Sequence, residues 1–308
     1  MLKALEFYCR TYSKLKDFDI IWCADTHVLL FPLLLSKKRK IIWDLHEIPM
    51  VFLGGNFKRK IFNYIEKKCA LFYHANKERI YFLEDKGLIL SNEKHFALRN
   101  YPDKISEYTP VSDSPIELSK FNTWLGESKC VYLQGIYGEI RRSYPSMAAV
   151  MEVEGLKAVI VGRPDKDAVN HLIQVYGEAE VSNKLFFTGM IPQRHTYQYI
   201  SHCHLSLIFY ATCNPNNTYC DPNRLFQAVV SGLPVVVGNN PPMKEFVSKT
   251  GAGIALNSDG NRIEEIVCAI KEILSKEEQY VDSIKRNNQK IYWDSQEVII
   301  KHSFEKIL

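Results

Sequence analysis

The sequence predicts an α/β protein built from two doubly wound, parallel-sheet domains of the Rossmann-like kind. Three observations carry this. Short apolar runs rich in β-branched residues alternate with amphipathic helical segments through most of the 308 residues. The alternation breaks once, between Tyr101 and about Glu127, where Pro102, Pro110 and Pro115 gather with Ser and Asp residues into linker composition. A hydrophobic content of 46% with 12% aromatic residues is enough for two ordinary cores.

In the first third, FDIIWCAD, RKIIWDLH, CALFYHAN and KHFALRN read as strands. Between them, THVLLFPLLLSKK, FKRKIFNYIEKK and NKERIYFLEDKG read as helices, which makes parallel βαβ units. VLLFPLLL is apolar but too short to span a membrane and is broken by Pro32, so it reads as a core helix. In FKRKIFNYIEKK the residues Phe57, Ile61, Phe62 and Ile65 share one side and basic residues another, as in a solvated helix over a core. A second reading lets that basic side rest weakly on an anionic membrane. After the linker, KCVYLQG, LKAVIVG, NKLFFTG, HLSLIFY, LPVVVG and GAGIAL are strands with helices between them. YCDPNRLFQAVVSGLPVVVG shows the local logic: Asp221 is a good N-cap and Pro222 a good first helical residue. Gly232 ends that helix, Pro234 forbids its continuation, and VVVG is the continuous apolar run of a strand buried on both faces. The resulting division is 1–105 for the first domain, 106–127 for the linker, 128–285 for the second domain and 286–308 for a C-terminal helix.

The net charge of +4 lacks the strong basic stripe that nucleic acid would require and suits an anionic small molecule. Eight cysteines, Cys9, Cys23, Cys69, Cys130, Cys203, Cys213, Cys220 and Cys268, follow no regular spacing, which favours reduced thiols in a cytosolic protein. No signal peptide or spanning helix is legible. His202, Cys203 and His204 alternate along what reads as a strand, so their side chains face opposite ways and no metal site is expected with Cys213 and Cys220. Open parallel sheets hold ligands beyond the carboxyl ends of their strands. That rule singles out Gly135, Arg141 and Arg142 after VYLQ, Asp44, His46 and Glu47 after IIW, and the polar loop ATCNPNNTYCDPN after LSLIFY. These three loops are expected to face one cleft.

YLQGIYGEIRRSYPSMAAV, LKAVIVGRPD, LFFTGMIPQRHTYQYISHCHLSLIFY and DPNRLFQAVVSGLPVVVGNNPPMKEFVSKTGAG, preceded by IIWDLHEIP and LRNYPD, stand in the order found in family 4 glycosyltransferases. The chain resembles those retaining enzymes of the GT-B fold from about Asp17 to its last residues. The resemblance implies a second domain that binds a nucleotide-sugar donor, a first domain that binds a glycan or lipid-linked acceptor, and a C-terminal helix that crosses back onto the first domain. It implies sugar transfer in cell-envelope polysaccharide synthesis, in the cytoplasm or at the inner face of the membrane, with no metal or other cofactor. By the same resemblance Arg141 takes the place of the diphosphate-binding cation, Arg142 is its competitor, and Arg224 stands where Lys is usual, with Leu225 beside it in the donor-binding set. Gln227 replaces a glutamate that accepts from the ribose hydroxyls, and Tyr219, eight residues upstream, replaces a second acidic residue. His46 comes near the transferring sugar or the acceptor hydroxyl, with Asp44 and Glu47 on the acceptor side.

The chemistry accounts for these residue types. A departing nucleoside diphosphate accumulates negative charge, which forked guanidinium groups and free helix N–H groups stabilise. Arg141 and His46 are therefore the catalytic candidates, the second because imidazole exchanges protons near neutral pH. In a retaining mechanism the departing phosphate can itself take the acceptor proton. Gln227 keeps one acceptor oxygen but lacks the charge that strengthens such bonds. Each residue also has a structural reading: a solvated arginine, a glutamine facing water, a histidine satisfying a loop carbonyl.

The resemblance also implies an N-terminal strand, a glycine-rich loop and two βα units, about 60 residues, ahead of the strand to which FDIIWCAD corresponds. Their place is not filled here, so an incomplete first domain with an exposed edge strand is expected. The alternative function is then a non-catalytic nucleotide-sugar-binding or scaffold protein.

Overall fold

The computed structural model describes residues 2–35, 39–104, 116–135, 138–287 and 290–308. They fall into two compact units, Met1–Asn100 with Asp294–Leu308, and Tyr101–Trp293.

The first unit holds four parallel strands, β1 (Ile20–Ala24), β2 (Lys40–Leu45), β3 (Leu71–His74) and β4 (His95–Ala97), in the order β1-β2-β3-β4. Helices α1 (Leu2–Lys14), α2 (Leu30–Leu35), α3 (Asn56–Lys68) and α4 (Lys77–Asp85) accompany them. Ile41, Ile42 and Trp43 of β2 are all fully buried, because a parallel strand covered on both faces has no polar side to show. On one face Trp43 meets Phe62 and Phe72. On the other, Ile42, Leu71 and Tyr73 are covered by Ile300, Phe304 and Ile307 of the C-terminal segment, whose helix spans Asp294–Glu305. The Tyr73 hydroxyl is hydrogen-bonded to Ser303. Phe62 and Ile65 of α3 are buried as expected, but Phe57 is 77% exposed. It lies on the first turn after the cap residue Gly55 and stays outside the core that Phe62 and Ile65 reach.

The second unit holds β5 (Lys129–Gln134), β6 (Leu156–Val161), β7 (Leu185–Gly189), β8 (Leu205–Ile208), β9 (Val235–Val237) and β10 (Gly253–Ala255). All pairs are parallel and the order is β10-β9-β8-β5-β6-β7. The first strand of the unit is thus central, and the winding reverses between β5 and β8. Its helices are α5 (Ile116–Leu125), α6 (Ser143–Met151), α7 (Lys166–Tyr176), α8 (Glu178–Lys184), α9 (Thr196–Ile200), α10 (Pro215–Thr218), α11 (Asn223–Val230), α12 (Pro241–Thr250), α13 (Ile263–Ser275) and α14 (Glu277–Asn287). Val131 and Leu133 face a core with α6 and α13, while Cys130 and Tyr132 face another with α11 and α12.

Three local expectations differ from the structure. Residues 105–115 of the expected linker lie outside the described residues, but its second half is α5, whose Phe121 is fully buried against Phe186 and Tyr199 at ring separations of 5.4 and 5.2 Å. Leu118, Phe121 and Leu125 recur at helical spacing, a signal that the proline-rich first half obscured. The helix expected to start at Pro222 begins at Asn223, with Pro222 in extended geometry as its cap residue. His202, Cys203 and His204 precede β8 rather than alternating within it. His202 meets Phe121 edge-on at 5.9 Å, and the ring of His204 accepts the Cys130 N–H at 3.2 Å. Among the described residues, no helix is long and apolar enough to cross a membrane.

Candidate functional site

The reversal between β5 and β8 leaves a crevice outside the carboxyl ends of the two strands, where open parallel sheets bind ligands. A cavity of about 470 Å³ occupies that place in the second unit. Two glycines allow the backbone to form its floor. Gly135, at φ 125, follows β5, and a Cβ there would strike the guanidinium of Arg141. Gly162, at φ 129, follows β6, and a Cβ there would strike the carbonyl of Gly135. Both lie in the region that side chains disfavour, so only glycine lets the two strand ends close up beneath Arg141.

Two arginines line the cavity from different elements. Arg141 comes from the loop after β5, and Arg224 from the first turn of α11. Tyr210, just beyond β8, serves both: its ring centroid lies 5.5 Å from the Arg141 guanidinium carbon and 5.1 Å from that of Arg224. Each cation is held over the negative face of one ring, which offsets part of their mutual repulsion. Arg224 is 8% exposed and donates to the carbonyls of Gln134 at 2.8 Å and Phe209 at 3.2 Å, while its Nε has no partner among the described residues. The Arg141 guanidinium makes no hydrogen bond or ion pair among them. No side chain caps the start of α11, where Asn223 also lines the cavity. Gln227, one turn further along, is 8% exposed and lines it too. The arrangement is a concave, partly desolvated, positively charged surface with donors left over, suited to a diphosphate.

The remaining donor-side candidates lie elsewhere. Arg142 is left-handed, at φ 52 and ψ 46, which turns its side chain away from Arg141 and onto Asp259. Burial alone would raise the Asp259 carboxyl, but the bonds from Arg142 and Thr212 outweigh it and hold it below the usual carboxylate range. Leu225 is fully buried in the core, because it is offset from the helix face that carries Arg224 and Gln227. Tyr219 follows α10 and is not among the cavity's lining residues.

In the first unit, Asp44, one residue before the end of β2, is half-buried and accepts the Trp22 indole N–H at 3.2 Å. His46 Nε2 is 3.2 Å from the same carboxylate oxygen, with its side chain 61% exposed. The buried Arg79 of α4 donates to the His46 carbonyl and anchors the loop, while Glu47 is exposed. The structure therefore brings Asp44 and His46 together as an accessible, carboxylate-supported imidazole.

Sequence reasoning missed Tyr210, Gly162, Met190, Ile191, Gln193 and Thr196, all of which line the cavity. The rule that ligands sit beyond strand ends points at Gly162, Tyr210 and Met190, which follow β6, β8 and β7. The stacking role of Tyr210 has no signature in the apolar run LSLIFY, which reads as a strand through its last aromatic residue.

Residues 144–290 match the protein family Glycosyl transferases group 1, a span that includes Tyr219, Arg224 and Gln227. Among curated proteins, none matches the chain. Among solved structures, Anabaena Alr3699/HepE in complex with UDP is similar at a TM-score of 0.75 and 15% identity, over 97% of this chain and 82% of that one. Sucrose-phosphate synthase from Thermosynechococcus elongatus is similar at a TM-score of 0.75 and 12% identity, over 97% and 76% of the two chains. A UDP-forming α,α-trehalose-phosphate synthase from Burkholderia xenovorans is similar at 0.71 and 12%, over 98% and 77%. The two parallel-sheet, Rossmann-like units have the fold of GT-B glycosyltransferases, and the second carries the segment that matches Glycosyl transferases group 1.

Proposed function

We propose that this protein is a retaining glycosyltransferase of family 4 that moves a sugar from a nucleotide-sugar to a glycan or lipid-linked acceptor in cell-envelope polysaccharide synthesis. The single observation that carries the reading is the pair of guanidinium groups, Arg141 and Arg224, both held against the ring of Tyr210 over a glycine floor with donors unspent. Anabaena HepE, similar in fold, was solved with UDP and with UDP-glucose, which supports a uridine diphosphate donor.

As the glycosidic bond breaks, charge grows on the diphosphate, and Arg141, Arg224 and the start of α11 stabilise it more in the transition state than in the ground state. Gln227 takes a ribose hydroxyl. The departing phosphate accepts the acceptor proton, and the Asp44 and His46 pair with Glu47 serves the acceptor. The guanidinium groups supply the positive charge at the leaving group, and no metal is invoked. Lys58, Lys60, Lys67 and Lys68, exposed on α3 with Phe57 and Tyr64, support a weak contact with an anionic membrane at the cytoplasmic face. The second reading, a non-catalytic nucleotide-sugar-binding protein, is favoured by the neutral Gln227 and by Tyr219 lying off the cavity.

Incubating the purified chain with UDP-, GDP- and ADP-sugars and following release of the nucleoside diphosphate separates the two readings. Catalysis gives sustained turnover with an acceptor, and the binding protein gives none. In parallel, Arg141→Ala should weaken UDP binding at least tenfold, since truncating a partly buried charged contact typically costs about 2–5 kcal/mol. Unchanged affinity by calorimetry removes Arg141 from the site.

A further inference from the structure

Arg142 is one of two residues other than glycine held at positive φ among the described residues. Side chains disfavour that conformation, and it persists only where the surroundings over-determine it. Here they do. Arg142 donates to both oxygens of Asp259, from Nε at 3.1 Å and from its terminal nitrogen at 2.6 Å. Its backbone N–H is given to Glu139 and its carbonyl accepts from both the N–H and the hydroxyl of Ser146. Asp259 accepts in addition from Thr212, from the N–H at 3.0 Å and the hydroxyl at 3.4 Å. Beside it, the Ala211 N–H is given to the Ile140 carbonyl at 2.7 Å. The loop carrying Asp259 is itself hard to move: Gly260 sits at φ 88 against the ring of Phe209, with no room for a Cβ.

One carboxylate thus ties three segments: the loop after β5 that carries Arg141, the loop after β8 that carries Tyr210, and the loop after β10. Arg142 and Asp259 do not line the cavity that Arg141 and Tyr210 share. We propose that Arg142 and Asp259 are positioning residues of the donor site, whose ion pair fixes the loops after β5 and β8 so that Arg141 and Tyr210 face the same cavity. The role in donor binding rests on the function proposed above.

The competing role for Arg142, direct contact with the diphosphate, gives the opposite sign. Asp259→Asn would then release a guanidinium to the ligand and tighten binding, whereas a positioning pair would lose its clamp and weaken it. The experiment uses the full chain and its Asp259→Asn, Arg142→Gly and Arg142→Lys variants, with UDP titration and amide hydrogen exchange at Ala211 and Thr212. Arg142→Gly relieves the left-handed backbone, so it removes the clamp without adding strain. The expected result is UDP affinity at least fivefold lower in Asp259→Asn and Arg142→Gly, partial recovery in Arg142→Lys, which keeps the charge but not the fork, and exchange at Ala211 and Thr212 at least tenfold faster. UDP binding equal to or tighter than wild type in Asp259→Asn, at a temperature where it is fully folded, overturns the proposal, as does unchanged exchange. If the wild-type chain binds no UDP, the donor reading fails on its own. Exchange at the two amides then still upholds or overturns the clamp.

Discussion

Gln227 shows what one side chain can be asked to do. It lines the cavity beside Arg224, and its amide group has no hydrogen-bond partner among the described residues. Replacing it with glutamate keeps the shape and adds charge in a site that already holds two cations. A charged hydrogen bond is about 1 kcal/mol stronger than a neutral one, so Gln227→Glu should bind UDP roughly fivefold tighter by calorimetry. Weaker or unaltered binding would mean that residue 227 does not meet the ribose. At this scale the sequence was legible where spacing decides and illegible where a dihedral angle does. Gly135, Arg141, Arg224 and Gln227 sit at the cavity because strand ends and a three-residue step along α11 put them there. Arg141 and Arg142 are adjacent and chemically alike, and only the left-handed backbone of the second sends it to Asp259.

Between elements, the first unit holds a buried polar chain that no single helix or strand announces. His74 at the end of β3 and His95 at the start of β4 approach at 2.9 Å from Nε2 to Nδ1, and Glu66 of α3 lies 3.6 Å from the other nitrogen of His95. Burial lowers both imidazoles, His74 the more, with the charges of His95 and Arg79 adding to it, while Glu66 partly opposes the shift at His95. Burial pushes Glu66 up, but His95 and Lys94 outweigh it and keep it low. The 2.9 Å contact needs one nitrogen to accept, so both rings cannot be cationic. Below the unfolded imidazole value near 6.5 the unfolded chain takes up protons that the folded chain refuses, so stability falls as pH falls. The Glu66 contribution persists through that window and is lost only lower, as pH drops through its own depressed value. Urea unfolding should therefore show little change from about pH 7.5 to 6.5, then a loss of about 1–2 kcal/mol by about pH 5.5. His74→Leu should flatten that fall, and an equal slope in the variant would exclude His74 as the source. The strands and helices were legible because alternation and capping are local signals, whereas α5 hid behind the prolines before it.

At the scale of the whole molecule, the second unit is one continuous stretch and the first is not. Residues 101–293 run unbroken through six parallel strands, and their ends meet where the Trp293 N–H is given to the Pro102 carbonyl at 3.0 Å. Expressed alone, this stretch should fold with a cooperative thermal transition and keep its UDP affinity within about threefold, whereas broad, non-cooperative melting would show that it leans on the rest of the chain. Residues 1–100 lack such independence, because Ile300, Phe304 and Ile307 pack with Ile20, Phe96 and Leu98 against Ile42, Leu71 and Tyr73, and Ser303 holds the Tyr73 hydroxyl. Synthesis runs from the N-terminus, so these strands leave the ribosome before the helix that packs on one face of their sheet. They must then wait while almost two hundred further residues are made, at roughly 5–20 per second, before the helix that covers them emerges. The earlier-made of the two units is thus completed after the later-made one, and for some tens of seconds in every round of synthesis its half-covered sheet is a site for a chaperone.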